Sequence, residues 1–478
     1  MSRAAIVGGG VIGGGWAARF ALMGWDVAVF DPSPDAREAL DAVMARARRA
    51  LPGLYDRALG DEGRVTLHDD MAQALQGAEW IQESAPEDLK LKQGLIARIE
   101  EHAAPSAIIA SSTSGFRPSQ LRDGARNPDR IVVAHPFNPV YLLPLVELVT
   151  EDGPFATRAA EILREIGMDP LHLTTEIDAH VADRLLESIW REALWLVRDG
   201  IATTEQIDRA ITHGFGLRWA QMGLFETYRM AGGTGGMTDF LKQFAPALAW
   251  PWSRLTDVPE MDDALATRIG ALSDAQAGGR TVAELEETRD DNLVGILRAL
   301  RHADWGVGKH LKEHENSRGA PPIDWSRPIV TADRVVPLDW TDFNGHMTES
   351  RYLLAFADAT ERLMEFIGCD DAYIAAGRSF FTAETHIRHV SEIHAGHRFR
   401  IETQALQSEG AKLHVFQRML EGDRLLATGE HFLLHVSLET RRPAPPTGAL
   451  ASGMARLAEG HRGLPYPEGA GRAVGQRP

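Results

Sequence analysis

Four short apolar runs mark the first third of the chain, at residues 4–7, 27–30, 108–110 and 131–134. Runs of that length, bounded by glycine or polar positions, predict strands of a parallel sheet buried on both faces. The first run ends in glycines, and residues 16–23 then present an apolar helical face before the second run closes at Asp31. Strand, glycine turn, helix, strand and acidic residue in that order predict a nucleotide-binding βαβ unit. The texture changes after about residue 175. Val181, Leu185, Leu186, Ile189, Ala193, Leu194 and Val197 recur at helical spacing, and Gly200 follows as a stop. Helical character continues with interruptions to about Leu311, which predicts a separate all-helical domain. Residues 314–328 are polar and proline-bearing, a linker. Beyond them, 352–367 predicts one long helix, and 385–390, 397–403, 414–419 and 424–437 predict strands, together an α+β unit. The last stretch is rich in Pro, Gly, Ala and Arg and predicts a flexible tail. The expected domains are 1–178, 179–313, 329–445 after the linker, and a tail at 446–478.

Composition narrows the class. With 478 residues, a scale of about 150 residues per domain suggests about three domains. Hydrophobic residues at 44% and charged residues at 24% describe an ordinary globular protein. The formal net charge of -17 argues against a nucleic-acid surface. The single cysteine, Cys369, excludes a disulfide within the chain and argues against a metal site built on cysteines; no metal is expected. No apolar run approaches the ~20 residues that cross a bilayer, and no signal peptide fits before Gly8, so a cytoplasmic location is expected.

The glycine turn reads Gly8-Gly9-Gly10-Val11-Ile12-Gly13. Gly8 permits the tight turn, Gly10 lets backbone approach a pyrophosphate, and Gly13 lets the helix pack on the strand; Val11 and Ile12 open the helix whose N-terminus faces the phosphates. Asp31 is placed to accept hydrogen bonds from the adenosine ribose and to repel a 2′-phosphate, so the expected cofactor is NAD rather than NADP.

A second cluster is Ser112-Thr113-Ser114-Gly115, then His135-Pro136-Phe137-Asn138-Pro139, then Glu147. Hydride transfer from an alcohol needs a base for the hydroxyl proton, and histidine titrates near neutrality. A carboxylate on its other nitrogen would fix the tautomer. The residues alone leave core or surface roles open for each. Ser114, the His135-Pro-Phe-Asn-Pro segment and Glu147 together resemble the 3-hydroxyacyl-CoA dehydrogenase superfamily over roughly residues 4–310. The resemblance implies a Rossmann domain followed by a helical dimerising domain, and hence a homodimer. It implies His135 as base, Glu147 as its orienting partner, Ser114 and Asn138 near the substrate, and Glu87 and Lys92 near the cofactor. One departure stands out. In Ala179-His-Val-Ala-Asp183-Arg184, Asp183 replaces the family's substrate-facing asparagine. The stretch 177–197 is similar to the bacterial L-carnitine 3-dehydrogenases, which implies oxidation of L-carnitine to 3-dehydrocarnitine. A trimethylammonium group suits an aromatic cage, for which Phe137, Tyr141, Trp190 and Trp219 are candidates, although tryptophans on a helix also serve as core.

The C-terminal unit carries an independent signature, Asp342-Phe-Asn-Gly345-His-Met-Thr348 with Tyr352 after it. As residues alone this is an ordinary turn. It also resembles the hotdog-fold acyl-CoA thioesterases, which implies a sheet wrapped on a long helix and Asp342 directing water at a short acyl-CoA such as betainyl-CoA. Thr348 stands where that family has asparagine. Two alternatives stay open: a 3-hydroxyacyl-CoA or other free 3-hydroxy-acid dehydrogenase, and a hotdog domain that only dimerises.

Overall fold

The computed structural model describes residues 2–55, 59–231, 240, 253, 260, 262–318 and 323–474. The chain divides into two compact units, Met1–Ala47 with Asp61–His314, and Arg48–Gly60 with Glu315–Pro478.

The first unit is built on strands β1 (Arg3–Val7), β2 (Asp26–Phe30), β3 (Val65–His68), β4 (Trp80–Glu83), β5 (Ile108–Ser111), β6 (Ile131–Pro136), β7 (Leu145–Val149) and β8 (Asp169–Leu173). Their order in the sheet is β3-β2-β1-β4-β5-β6-β7-β8. Helices α1 (Val11–Leu22), α2 (Ala36–Ala50), α3 (Met71–Leu75), α4 (Leu89–His102), α5 (Pro118–Leu121) and α6 (Pro154–Glu165) connect them. The four predicted strands are β1, β2, β5 and β6. The sheet is mixed rather than parallel, because β7 runs antiparallel to β6. Only residues 137–144 join the two, too few for the crossover of a dozen or more residues that parallel neighbours need. Behind α1, Trp16, Phe20, Trp25 and Trp80 form an aromatic cluster, with neighbouring ring centroids 5.2–6.1 Å apart. The Arg19 guanidinium, fully buried, donates to the carbonyls of Tyr141, Ile166 and Gly167. A buried guanidinium is tolerated when its donors are used in this way.

The helical part has α7 (Ala182–Arg198), α8 (Thr204–Ala210), α9 (Gly216–Ala231, broken at Gly223), α10 (Asp263–Ala277), α11 (Val282–His302) and α12 (Val307–Ser317). The α7 periodicity and its stop, Gly200 at φ +70°, are as the sequence predicts. The expected linker starts too early: α12 runs to Ser317, and His314 is buried with Nε2 donating to the Glu165 carbonyl.

In the second unit, β9 (Ile329–Val335), α13 (Glu349–Ile367), α14 (Asp371–Ala375), β10 (Arg378–His389), β11 (Arg398–Glu409), β12 (Lys412–Glu421), β13 (Arg424–Ser437) and α15 (Gly448–His461) follow in order. The sheet order is β10-β13-β12-β11-β9, all antiparallel. Helix α13 lies on it through Tyr352, Ala355, Phe356 and Ala359, which share a core with Ile401, Met419 and Ala427. The expected flexible tail is corrected at α15. Leu450, Met454 and Leu457 recur at helical spacing and are buried with Leu413, Val415 and Leu433. His461 locks the end: its Nδ1 accepts from the Ala405 amide and its Nε2 donates to the Arg327 carbonyl. Pro and Gly raised the polarity of the stretch as a whole and masked this stripe. Cys369 is buried, and burial pushes its thiol up to about 11.

Candidate active sites

The turn after β1 is fixed by sterics. Gly8 has φ +99°, and a Cβ there would lie 2.8 Å from the Ser84 carbonyl oxygen. A Cβ on Gly13 would lie 1.7 Å from the Gly8 carbonyl oxygen, so α1 crosses β1 at a distance only glycine allows. A Cβ on Gly10 would meet nothing within 4 Å. That open backbone surface begins α1, whose N-terminus carries no side-chain cap, and it fits the close approach of a pyrophosphate. Val11 and Ile12 form its lip, the former exposed. The Asp31 carboxylate closes the far side, accepting from the Gly9 amide at 2.6 Å and the Ser33 amide at 2.8 Å. The residues present therefore fit a dinucleotide.

Glu87 and Lys92 come together beyond β4, but not as free ligands. The Lys92 ammonium is 1% exposed and donates to both Glu83 carboxylate oxygens, at 3.0 and 3.1 Å, and to the Ala85 carbonyl. Lys92 is thus held in a buried ion pair with Glu83, a residue the sequence did not single out, and lies 3.4 Å from Glu87 Oε2. Glu87 accepts from the Thr113 hydroxyl and the Gly115 amide, which sets the path of the loop after β5.

His135 and Glu147 are register partners across β6 and β7. His135 Nδ1 donates to Glu147 Oε2 at 2.9 Å. The other oxygen, Oε1, accepts from the Val181 and Ala182 amides at 2.8 Å each, at the start of α7. Burial alone would raise the Glu147 pKa; the hydrogen bonds from His135, Ala182 and Val181 overcome it and hold the carboxyl below its ordinary range. His135 Nε2 faces Asp183 Oδ2 at 3.8 Å. Burial raises the Asp183 pKa, opposed in part by His135. The Phe137 ring stands edge-on to His135 at 5.1 Å. His180 packs on the other side, its ring 5.6 Å from that of His135. It has φ +49°, and its Nε2 donates to the Thr113 carbonyl. Its Nδ1 is left as a buried acceptor with no partner among the described residues.

In the second unit, Asp342 Oδ1 accepts from the Asn344 amide, and Gly345 takes φ +75°. Backbone bonds from Gly345 to Asp342, and from Asp342 to His346, close the turn immediately before α13. The Asp342 carboxylate is exposed at this point, and Thr348 is the N-cap of α13, its hydroxyl 3.4 Å from that of Ser350 and not bonded to a helix amide.

The NAD-binding domain of 3-hydroxyacyl-CoA dehydrogenase matches residues 3–177, and the C-terminal domain of the same enzymes matches 180–262. The thioesterase-like superfamily matches 336–453. A protein of Ruegeria pomeroyi named L-carnitine dehydrogenase/betainyl-CoA thioesterase is 60% identical over 99% of each chain. The chain belongs to this bifunctional family. A relative of the same name in Agrobacterium fabrum is 51% identical over 99% of this chain and 98% of its own. Among solved structures, 5-formyl-3-hydroxy-2-methylpyridine 4-carboxylic acid 5-dehydrogenase, described as an NAD+-dependent dismutase, is 26% identical with a TM-score of 0.53. It covers 63% of this chain and 99% of that one. The fused architecture of the family agrees with the order of elements: Rossmann sheet, helical part, hotdog sheet.

The other residues singled out by the sequence differ in their surroundings. Ser114 is exposed, and its hydroxyl makes no hydrogen bond among the described residues. Asn138 is exposed after Phe137. Tyr141 is corrected from cage to core: it is buried, and its hydroxyl donates to Asp290. Burial and then Asp290 push its phenol upward. Trp190 is 53% exposed on α7, one heptad after Asp183 and so on the same face. Trp219 packs on Phe215 at 4.6 Å. The residues to which the sequence assigned no role are Glu83 and His180. His180 takes a left-handed backbone, a conformation in which histidine is enriched among non-glycine residues, but that preference alone does not point to a site.

Proposed function

We propose that this chain oxidises the 3-hydroxyl of L-carnitine with NAD at His135, and hydrolyses betainyl-CoA at Asp342. The observation that carries the first activity is His135, gripped at Nδ1 by Glu147 and facing Asp183 with Nε2. With Nδ1–H donated to a carboxylate, Nε2 bears the lone pair that takes the hydroxyl proton. Glu147 keeps that tautomer and stabilises the imidazolium that forms, as the orienting carboxylate of a hydrolytic triad does. Gly8–Gly13 and Asp31 would hold NAD, which when bound would supply the hydride acceptor. The carbinol hydrogen leaves as hydride, the hydroxyl proton goes to His135, and the ketone remains. Asp183 places a negative charge beside the base. The ammonium nitrogen of carnitine lies two bonds from the carbinol carbon, so a substrate poised on His135 brings its cation toward Asp183. Phe137 adds an aromatic face beside the base.

In the second unit, Asp342 directs water at the thioester, and amides at the start of α13 face the developing oxyanion. A homodimer fits the exposed Leu185, Leu186 and Trp190 of α7. None of the described helices is long and apolar enough to cross a membrane. A cytoplasmic site of action fits the use of NAD and CoA.

The test is NADH formation with L-carnitine, 3-hydroxybutyrate and 3-hydroxybutyryl-CoA, with NAD and NADP compared on the best of them. Turnover should favour carnitine and NAD. A preference for the CoA thioester would return the chain to acyl-CoA chemistry.

A further inference from the structure

A cluster of side chains beside the Asp342 turn has no part in the chemistry above. His346 follows Gly345 in the turn, and Glu392 and His394 lie in the loop before β11. The ligand-capable atoms of these three side chains lie within 4.8 Å of one another. His346 Nε2 is 3.6 Å from Glu392 Oε2, and the two imidazole rings are 4.6 Å apart, edge to face.

We propose that His346, Glu392 and His394 form a binding site for a divalent transition-metal ion of the zinc type. Backbone structure holds the arrangement. His346 and His394 are partners in an antiparallel bridge, and the Met347 amide donates to the Ile393 carbonyl at 2.9 Å. The two histidines therefore come from segments that are already paired, and little chain entropy is lost when an ion joins them. The tautomer of His394 is fixed as well. Its Nδ1 donates to the Gly345 carbonyl at 3.1 Å, which leaves the Nε2 lone pair for a metal. That backbone partner is the usual outer support of a ligating histidine. The nearby Arg424 cation is neutralised by a carboxylate. Arg424 donates to the Glu392 carbonyl and pairs with Glu421, whose other oxygen accepts a hydrogen bond from His397 Nδ1, so its charge is countered.

The ligand set selects the ion. Two imidazoles and one carboxylate suit zinc, cobalt, nickel or copper, whereas calcium and magnesium prefer oxygen alone. Zinc–nitrogen bonds of about 2.0–2.1 Å in a tetrahedron set ligand atoms about 3.3 Å apart, so rotation of exposed side chains closes the present spacing. A fourth position remains for water. An ion here ties the loop at 391–394 to the turn that carries Asp342.

The experiment uses the tag-free full-length chain, stripped with chelator and titrated with Zn2+ against a chromophoric competitor, with bound metal measured by mass spectrometry. The proposal expects about one zinc per chain. Glu392→Gln and His394→Gln, both at exposed positions, should each weaken binding at least about tenfold, while His302→Gln on α11 leaves it unchanged. Absence of stoichiometric zinc, or equal affinity in wild type and both cluster variants, overturns the site. Neither readout depends on thioester hydrolysis, so failure of the Asp342 assignment leaves this test intact.

Discussion

Glu147 does two jobs with one carboxylate. It orients His135 through Oε2 and receives the first amides of α7 through Oε1. Hydrogen bonds to a charged acceptor are worth roughly 1.5–3 kcal/mol each, so the start of α7, and with it Asp183, is held at a defined distance from the base. Asp183 is the residue at which substrate choice is expected to turn. It is 17% exposed, and Asp183→Asn removes its charge while keeping its shape. We expect kcat/KM for L-carnitine to fall at least about tenfold, equivalent to about 1.4 kcal/mol. The neutral analogue bearing tert-butyl in place of trimethylammonium should lose much less. Equal losses on both compounds would mean that Asp183 acts on the base and not on the cation. The dyad was legible in the sequence only through the resemblance, because a histidine and a glutamate twelve positions apart become partners through strand register. Asp183 was legible as a departure from the family pattern. His180 and the Glu83–Lys92 pair were not, since both depend on which side chains the folded chain buries together.

At the scale of elements, strands and helices with strong periodicity stand where their patterns place them; α7 and α13 are the clearest cases. The misses have physical causes. Strands β3, β4, β7, β8 and β9 were not predicted: the first four run only four or five residues, too short for periodicity to decide, and β9 interleaves the charged Asp333 and Arg334. Helix α15 hides a regular apolar stripe within a stretch whose average composition is that of a loop. Its burial makes a quantitative prediction. Leu457 is fully buried against the sheet, so Leu457→Ala should destabilise the second unit by about 2–5 kcal/mol. Calorimetry or denaturant unfolding of the full chain checks this. A flexible tail would show a change near zero.

At the scale of the molecule, each candidate site is assembled within one compact unit. The dyad, Asp183 and the glycine turn all belong to the first, and the Asp342 turn belongs to the second. Their chemistry should therefore separate by mutation, as it does for sites without shared partners. Asp342→Asn is expected to lower CoA release from betainyl-CoA by ~10²-fold or more and to leave carnitine oxidation at the wild-type rate; coupled loss of both activities would refute the separation. The reciprocal substitution tests the account at its centre. His135→Gln keeps size and polarity but removes the proton acceptor. Measured on one preparation of the full-length chain, carnitine-dependent NADH formation should fall ~10²–10⁴-fold, while NADH binding, followed by its fluorescence, and CoA release persist. Near-normal NADH formation by His135→Gln would contradict the account.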